Sequence, residues 1–136
     1  MEQSARSAEK ISQMLEDHPV VKKVHYPGLP SHPEYDIHKR QATSGGAVLS
    51  FELASQEAVY TFSDALQIPI AAVSLGGVES ILSYPVTMSH ACVPKEEREK
   101  QGITEGLLRL SVGIEDTEDL IADLEQALAK VRITVK

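Results

Sequence analysis

Glu105-Gly-Leu-Leu-Arg-Leu-Ser-Val-Gly-Ile-Glu-Asp116 is the stretch on which the fold turns. Alternation predicts a strand over Leu107–Val112, with Leu108, Leu110 and Val112 on one face and Leu107, Arg109 and Ser111 on the other. Asp116 then caps a helix whose Leu120, Ile121, Leu124, Ala127, Leu128 and Val131 recur at helical spacing. The anomaly is Arg109, a charge in the middle of an apolar strand. A guanidinium presents a planar fork that can pair both oxygens of a carboxylate, so such a position suits an oxyanion clamp. An arginine snorkelling from a sheet to a surface carboxylate is the competing reading, and the strand alone leaves both open.

Working upstream, Ala47, Leu49, Phe51 and Leu53 alternate with Val48, Ser50 and Glu52, a second half-buried strand. Ser55 caps a helix with a stripe of Ala58, Val59, Phe62, Ala65 and Leu66. Ile70–Val73 reads as a short strand, and Val20–Tyr26 as another, closed by Pro27-Gly28. A first helix carries Ala8, Ile11, Met14 and Leu15 and stops before Pro19. Short helices are expected after the capping box Ser31-His32-Pro33-Glu34, ending near Gln41, and from Pro94 to Gly102. Ser74–Val93 reads as a long irregular stretch, too apolar to be a solvated linker, which should pack against something. Connections this short disfavour a doubly wound parallel sheet. The expected fold class is α+β, a mostly antiparallel sheet of about four strands with helices packed on one face.

Residues 1–136 suffice for a single domain. With 20 acidic against 13 basic residues and a net charge of −7, the chain lacks the basic face that nucleic acid or an anionic membrane requires. No apolar run is long enough to span a bilayer, and Met1–Lys10 is too polar for a secretory signal. The lone cysteine, Cys92, excludes an internal disulfide and suits a cytoplasmic setting. Because the chain begins already inside a helical pattern, it reads as a piece of something longer.

Ser74-Leu75-Gly76-Gly77 is the second candidate for chemistry: two glycines permit close backbone approach to a ligand, although a plain tight turn has the same composition. His18, His25, His32, His38 and His90 make no metal-type pair with a second ligand, so no metal site is expected. Cys92 reads as a small buried residue, Glu115-Asp116 with Glu118-Asp119 as complement to a helix N-terminus, and Lys95–Lys100 as a solvated face.

Taken in order, Val73-Ser-Leu-Gly-Gly-Val-Glu-Ser80, Pro85, Met88-Ser-His-Ala91, Gly102-Ile103 and Leu107–Asp116 resemble the trans-sulfuration enzymes, the pyridoxal-phosphate-dependent family of cysteine and methionine metabolism. Val24–Pro33 matches the family's style as well. The resemblance covers nearly the whole chain and corresponds to the C-terminal domain of these fold-type I enzymes. It implies that Arg109 binds the substrate α-carboxylate, that Ser74 helps position the Schiff-base lysine and substrate, and that the Leu75 backbone lines the same pocket. At the position before the serine, cystathionine γ-synthases and γ-lyases of the family commonly carry glutamate. Val73 stands there instead, as in methionine γ-lyase-like members, which implies an apolar sulfur side chain. Glu79 and Met88 are read as packing residues, with the substrate or a subunit interface as the alternative.

No lysine here sits in the family's Ser-x-Thr-Lys type of setting, so no catalytic residue is expected in this chain. The resemblance places pyridoxal 5′-phosphate in an absent N-terminal domain, with none expected on this one, and makes the fragment alone inactive. The implied parent is a cytoplasmic, homotetrameric carbon–sulfur lyase of methionine γ-lyase or cystathionine β-lyase type. Its substrate is a small amino acid of the methionine, homocysteine or cystathionine class. A cystathionine γ-synthase or γ-lyase is the alternative within the family; a non-catalytic carboxylate-binding or dimerisation module is the alternative outside it.

Overall fold

A computed structural model of the chain describes residues 2–29, 35–41, 45–71, 79–84, 94–100 and 105–131. Its elements are α1 (Glu2–Asp17), β1 (Lys23–His25), α2 (Tyr35–Gln41), β2 (Val48–Glu52), α3 (Gln56–Ala65), β3 (Ile70–Ala71), β4 (Ile81–Ser83), α4 (Lys95–Lys100), β5 (Leu107–Ser111) and α5 (Thr117–Lys130). The strands form one sheet in the order β1-β2-β5-β4-β3, antiparallel at every pairing except β3 with β4. The α+β class with a mostly antiparallel sheet therefore holds.

The strand count differs from expectation. Among the described residues the sheet has five strands against about four expected, because β4 lies inside the stretch read as irregular from Ser74 to Val93. Ile81-Leu82-Ser83 is three residues long, too short for alternation to show, and its pairing partners are distant in sequence. The strand expected over Val20–Tyr26 narrows to Lys23–His25, since Val21 N–H turns back to the His18 carbonyl. Ser31–Glu34, Met88, His90 and Cys92 lie outside the described residues.

In the central pair, Leu49 stands opposite Leu110 and Phe51 opposite Leu108, all with 1% exposure or less. Helices α1, α3 and α5 cover this face with Ile11, Leu15, Val59, Phe62, Leu120, Leu124 and Leu128 in one continuous core. Phe51 and Phe62 meet edge to face at 5.7 Å. Each such side chain removed from water contributes roughly 1.5–3 kcal/mol, so the helical layer and the sheet hold each other. Among the described residues, no helix is long and apolar enough to cross a membrane.

Two carboxylates secure α5, one locally and one across to a neighbouring segment. Asp116 caps α5 by accepting the amides of Glu118 and Asp119. Asp123, buried on α5, accepts the amides of Gln67 and Ile68, joining the α3–β3 connection to the helix. This second role is invisible in the helical stripe, where Asp123 falls beside the apolar positions.

Tyr26 closes the β1 end. It is 1% exposed, its hydroxyl donates to the Gly46 carbonyl at 2.9 Å, and a methyl group at either Gly28 or Gly45 would lie 2.5 Å from its side-chain atoms. Gly46 itself takes φ +83°, the left-handed region that favours glycine. At the other end of β2, the Leu53 amide donates to the Gly106 carbonyl, and a methyl group at 106 would lie 1.9 Å from the Leu53 carbonyl oxygen.

Two outcomes follow for stability. Gly106→Ala must push β2 and β5 apart at their junction and should cost at least about 2–3 kcal/mol in denaturant unfolding, the upper range for overpacking. Burial, with the Glu9 carboxylate adding to it, pushes the Tyr26 hydroxyl up to a pKa of about 12. A folded-state value above the unfolded one means that the stabilisation is complete below pH ~10 and is lost as pH rises toward ~12. The difference between wild type and Tyr26→Phe in unfolding free energy should therefore shrink across that alkaline window. A constant difference would show that the phenol has the same pKa in the folded and unfolded states.

Candidate functional site

The face of the sheet away from the helices is polar at its centre. On β5, Leu107, Arg109 and Ser111 point to this side, and register brings Ser50 of β2 and Ser83 of β4 directly opposite Arg109. The arginine therefore sits in the middle strand, in a row Ser50–Arg109–Ser83. Cross-strand neighbours in such a row stand about 5 Å apart, and two short hydroxyl side chains leave a long one room to extend between them.

Arg109 is half-buried, Ser83 is 4% exposed and Ser111 is fully buried. The Arg109 Nη2 donates to Ser83 Oγ at 3.3 Å. This bond fixes one branch of the guanidinium fork against β4. The stem is held from below by the same pleat that sends Leu108 and Leu110 into the core.

Further along the same face, His25 Nε2 lies 3.0 Å from Glu52 Oε2, a hydrogen-bonding contact across β1 and β2. Beyond Ser83, Tyr84 is buried at 5%, its hydroxyl donates to the Glu105 carbonyl, and its ring meets Tyr60 edge to face at 6.0 Å. The Tyr84 hydroxyl thus holds the end of β4 to the approach to β5.

The start of β4 is anchored as firmly. Ser80, fully buried, donates its amide to Glu115 Oε2 at 2.9 Å and its hydroxyl to Glu115 Oε1 at 2.7 Å. The same hydroxyl oxygen accepts the Gly113 amide, and the Gly113 carbonyl accepts Ser4 Oγ from α1. Glu115, read from sequence as complement to a helix N-terminus, thus also serves as acceptor for a neighbouring strand. Ser83 and Ser80 were invisible as partners because β4 itself was.

Of the four residues proposed from sequence to meet the substrate, the structure places Arg109 on the polar face; Val73, Ser74 and Leu75 lie outside the described residues. Glu79, just before the Ser80 anchor, is exposed. Among the described residues, no group of three or more histidine, cysteine, aspartate or glutamate side chains could hold a metal ion.

The profile of the family described as "Cys/Met metabolism PLP-dependent enzyme" matches residues 1–129. The chain is 56% identical over 131 residues to cystathionine beta-lyase MetC of Bacillus subtilis, covering 96% of this chain and 34% of that protein. It is 50% identical over 129 residues to L-methionine gamma-lyase of Pseudomonas deceptionensis, covering 94% of this chain and 32% of that one. The fold superposes with a TM-score of 0.93 on cystathionine gamma synthase of Xanthomonas oryzae pv. oryzae, at 41% identity over 99% of this chain and 35% of that one. The chain thus spans about a third of the length of the relatives it matches. With the profile match running almost end to end, it belongs to the pyridoxal-phosphate-dependent enzyme family of cysteine and methionine metabolism.

Proposed function

We propose that this chain is the substrate-binding C-terminal domain, residues 1–136, of a pyridoxal-phosphate-dependent carbon–sulfur lyase, in which Arg109 grips the α-carboxylate of a sulfur amino acid. The observation that carries the reading is the seat of Arg109. In a member of this family, it stands on the middle strand of the polar sheet face, between two serines and braced by one of them. A half-buried fork held this way can pair both carboxylate oxygens and so set the direction of the substrate's α-carbon. Val73, Ser74 and Leu75 are assigned to the same pocket by the resemblance of Val73–Ser80 to the family's motif.

The cofactor would supply an electron sink for charge developing at the substrate's α-carbon. The described part of this chain does not fit a role in holding it. Every lysine whose burial is described (Lys10, Lys22, Lys23, Lys100 and Lys130) is exposed, whereas a Schiff-base amine needs a desolvated pocket to lower its pKa. What this chain contributes in this reading is binding and orientation, with the cofactor held by an N-terminal domain. Val73 favours a methionine γ-lyase or cystathionine β-lyase type over one that reads a distal amino group. The likeness to a cystathionine gamma synthase structure supports a γ-synthase or γ-lyase as the second reading. Cytoplasmic location and a homotetrameric parent complete the proposal and rest on the family resemblance.

A chimera tests it directly: this chain in place of the aligned third of the Bacillus subtilis cystathionine beta-lyase. The chimera should cleave cystathionine or methionine. In it, Arg109→Ala should raise KM on the order of 100-fold, the loss expected for a charge-assisted pair of about 3 kcal/mol, with the cofactor's visible absorbance unchanged. A KM equal to that of the parent chimera would remove Arg109 from the substrate site. Specificity provides a second check. Val73→Glu should shift the ratio of kcat/KM for cystathionine over methionine upward by roughly tenfold, the scale of a single pocket exchange. No shift would detach Val73 from the distal end of the substrate.

A further inference from the structure

We infer that Glu115 is a positioning residue for the substrate site: by clamping Ser80 it sets the register of β4, and through β4 the seat of Ser83 against Arg109. The inference rests on the reading of Arg109 as the carboxylate clamp.

Three features of the geometry carry it. First, β4 is only three residues long, and it pairs Ile81 with Ser111, Leu82 with Leu110 and Ser83 with Arg109. A ladder this short specifies register weakly by its own hydrogen bonds. A slip of one residue would turn Ser83 toward the helices and set Leu82 or Tyr84 opposite the guanidinium. Second, every polar atom of Ser80 is committed. Its amide and hydroxyl donate to the two oxygens of Glu115, its hydroxyl oxygen accepts Gly113 N–H, and its carbonyl accepts Ile70 N–H. Ser80 is also fully buried, so letting go of Glu115 would leave donors without water to replace it. Third, the clamp closes on the same chain segment that carries Arg109. Gly113 and Glu115 follow β5 directly, so one end of β4 is tied to β5 four to six residues from Arg109 while its other end meets Arg109 through Ser83.

Burial of Leu82 also resists a slip, but it acts equally on any register that keeps a large apolar side chain on the helix side. Named donors and acceptors distinguish one residue from its neighbours at both ends of β4: Tyr84 bonds the Glu105 carbonyl at the far end, and the Ser80–Glu115 pair makes the paired contact at the near end.

Two measurements test this. Hydrogen exchange on the chain itself should show the Ser80 and Gly113 amides exchanging at least ~10-fold faster in Glu115→Ala, with Leu124 and Leu128 of α5 unchanged. In the active chimera, Glu115→Ala should raise KM roughly tenfold with little change in kcat. Glu115→Gln, which keeps one acceptor oxygen for Ser80, should fall between the two. In an Arg109→Ala background, the same Glu115→Ala change should move KM less than about twofold, because its effect passes through the arginine.

Unchanged exchange at Ser80 and Gly113 would overturn the clamp. So would uniform acceleration of all amides, which would mark Glu115 as a contributor to global stability alone. A full KM effect of Glu115→Ala in the Arg109→Ala background would overturn the route through Arg109. Failure of the underlying reading looks different: there, Arg109→Ala by itself leaves KM where it was.

Discussion

The antiparallel pairing of β2 with β5 is the constraint from which the rest follows. Its register sets Leu49 against Leu110 and Phe51 against Leu108, and in doing so it sets Ser50 against Arg109. The two statements are one fact seen from opposite faces, because side chains alternate along a strand with a period of two. Burial on the helix side stabilises this pairing and rejects its neighbours; a slip by one residue would drive Arg109 into the core among Ile11, Phe62 and Leu124. The core thus holds the arginine in place without touching its guanidinium.

Around this pair, stability and site occupy separate layers. The helical layer is apolar and continuous, stitched at its margins by Asp116 and Asp123, both bonded to backbone amides. The polar layer is built from short side chains, Ser50, Ser83 and Ser111, around one long one. The chain spans about a third of the length of the family relatives it matches, so two thirds of those proteins lie outside the part described by this sheet and its helices.

What could be read from the sequence and what could not divide along physical lines. β2, β5, α3 and α5 announce themselves because each is long enough for its period to show and each has a capping residue or glycine at its boundary. Arg109 stood out for the same reason, as an exception to a clear alternation. β4 did not, because three residues carry no period and its identity as a strand depends on partners some thirty residues away. With β4 hidden, Ser83 and Ser80 could not be connected to Arg109 and Glu115. Glu115 was legible as an acidic residue before a helix, whereas Asp123 carried no signal of its own among the apolar positions of α5. Their bonds to Ser80 and to Gln67 and Ile68 are tertiary, and no local pattern encodes them. Family resemblance supplied the assignment of Val73, Ser74 and Leu75, which propensity and spacing alone left as the end of a strand and a glycine turn.

The two outermost strands have a consequence for how the protein behaves in a crowded solution. A sheet edge offers unpaired amides and carbonyls to any passing strand, and long flat edges are templates for growth. Here β1 is three residues long and carries the exposed Lys23, while β3 is two residues long and runs parallel to its neighbour. Neither is long enough to seed a ladder, and a charge guards one of them. Among the described residues, the exposed Ile70 on β3 therefore sits on an edge that offers a foreign strand only two residues to pair with.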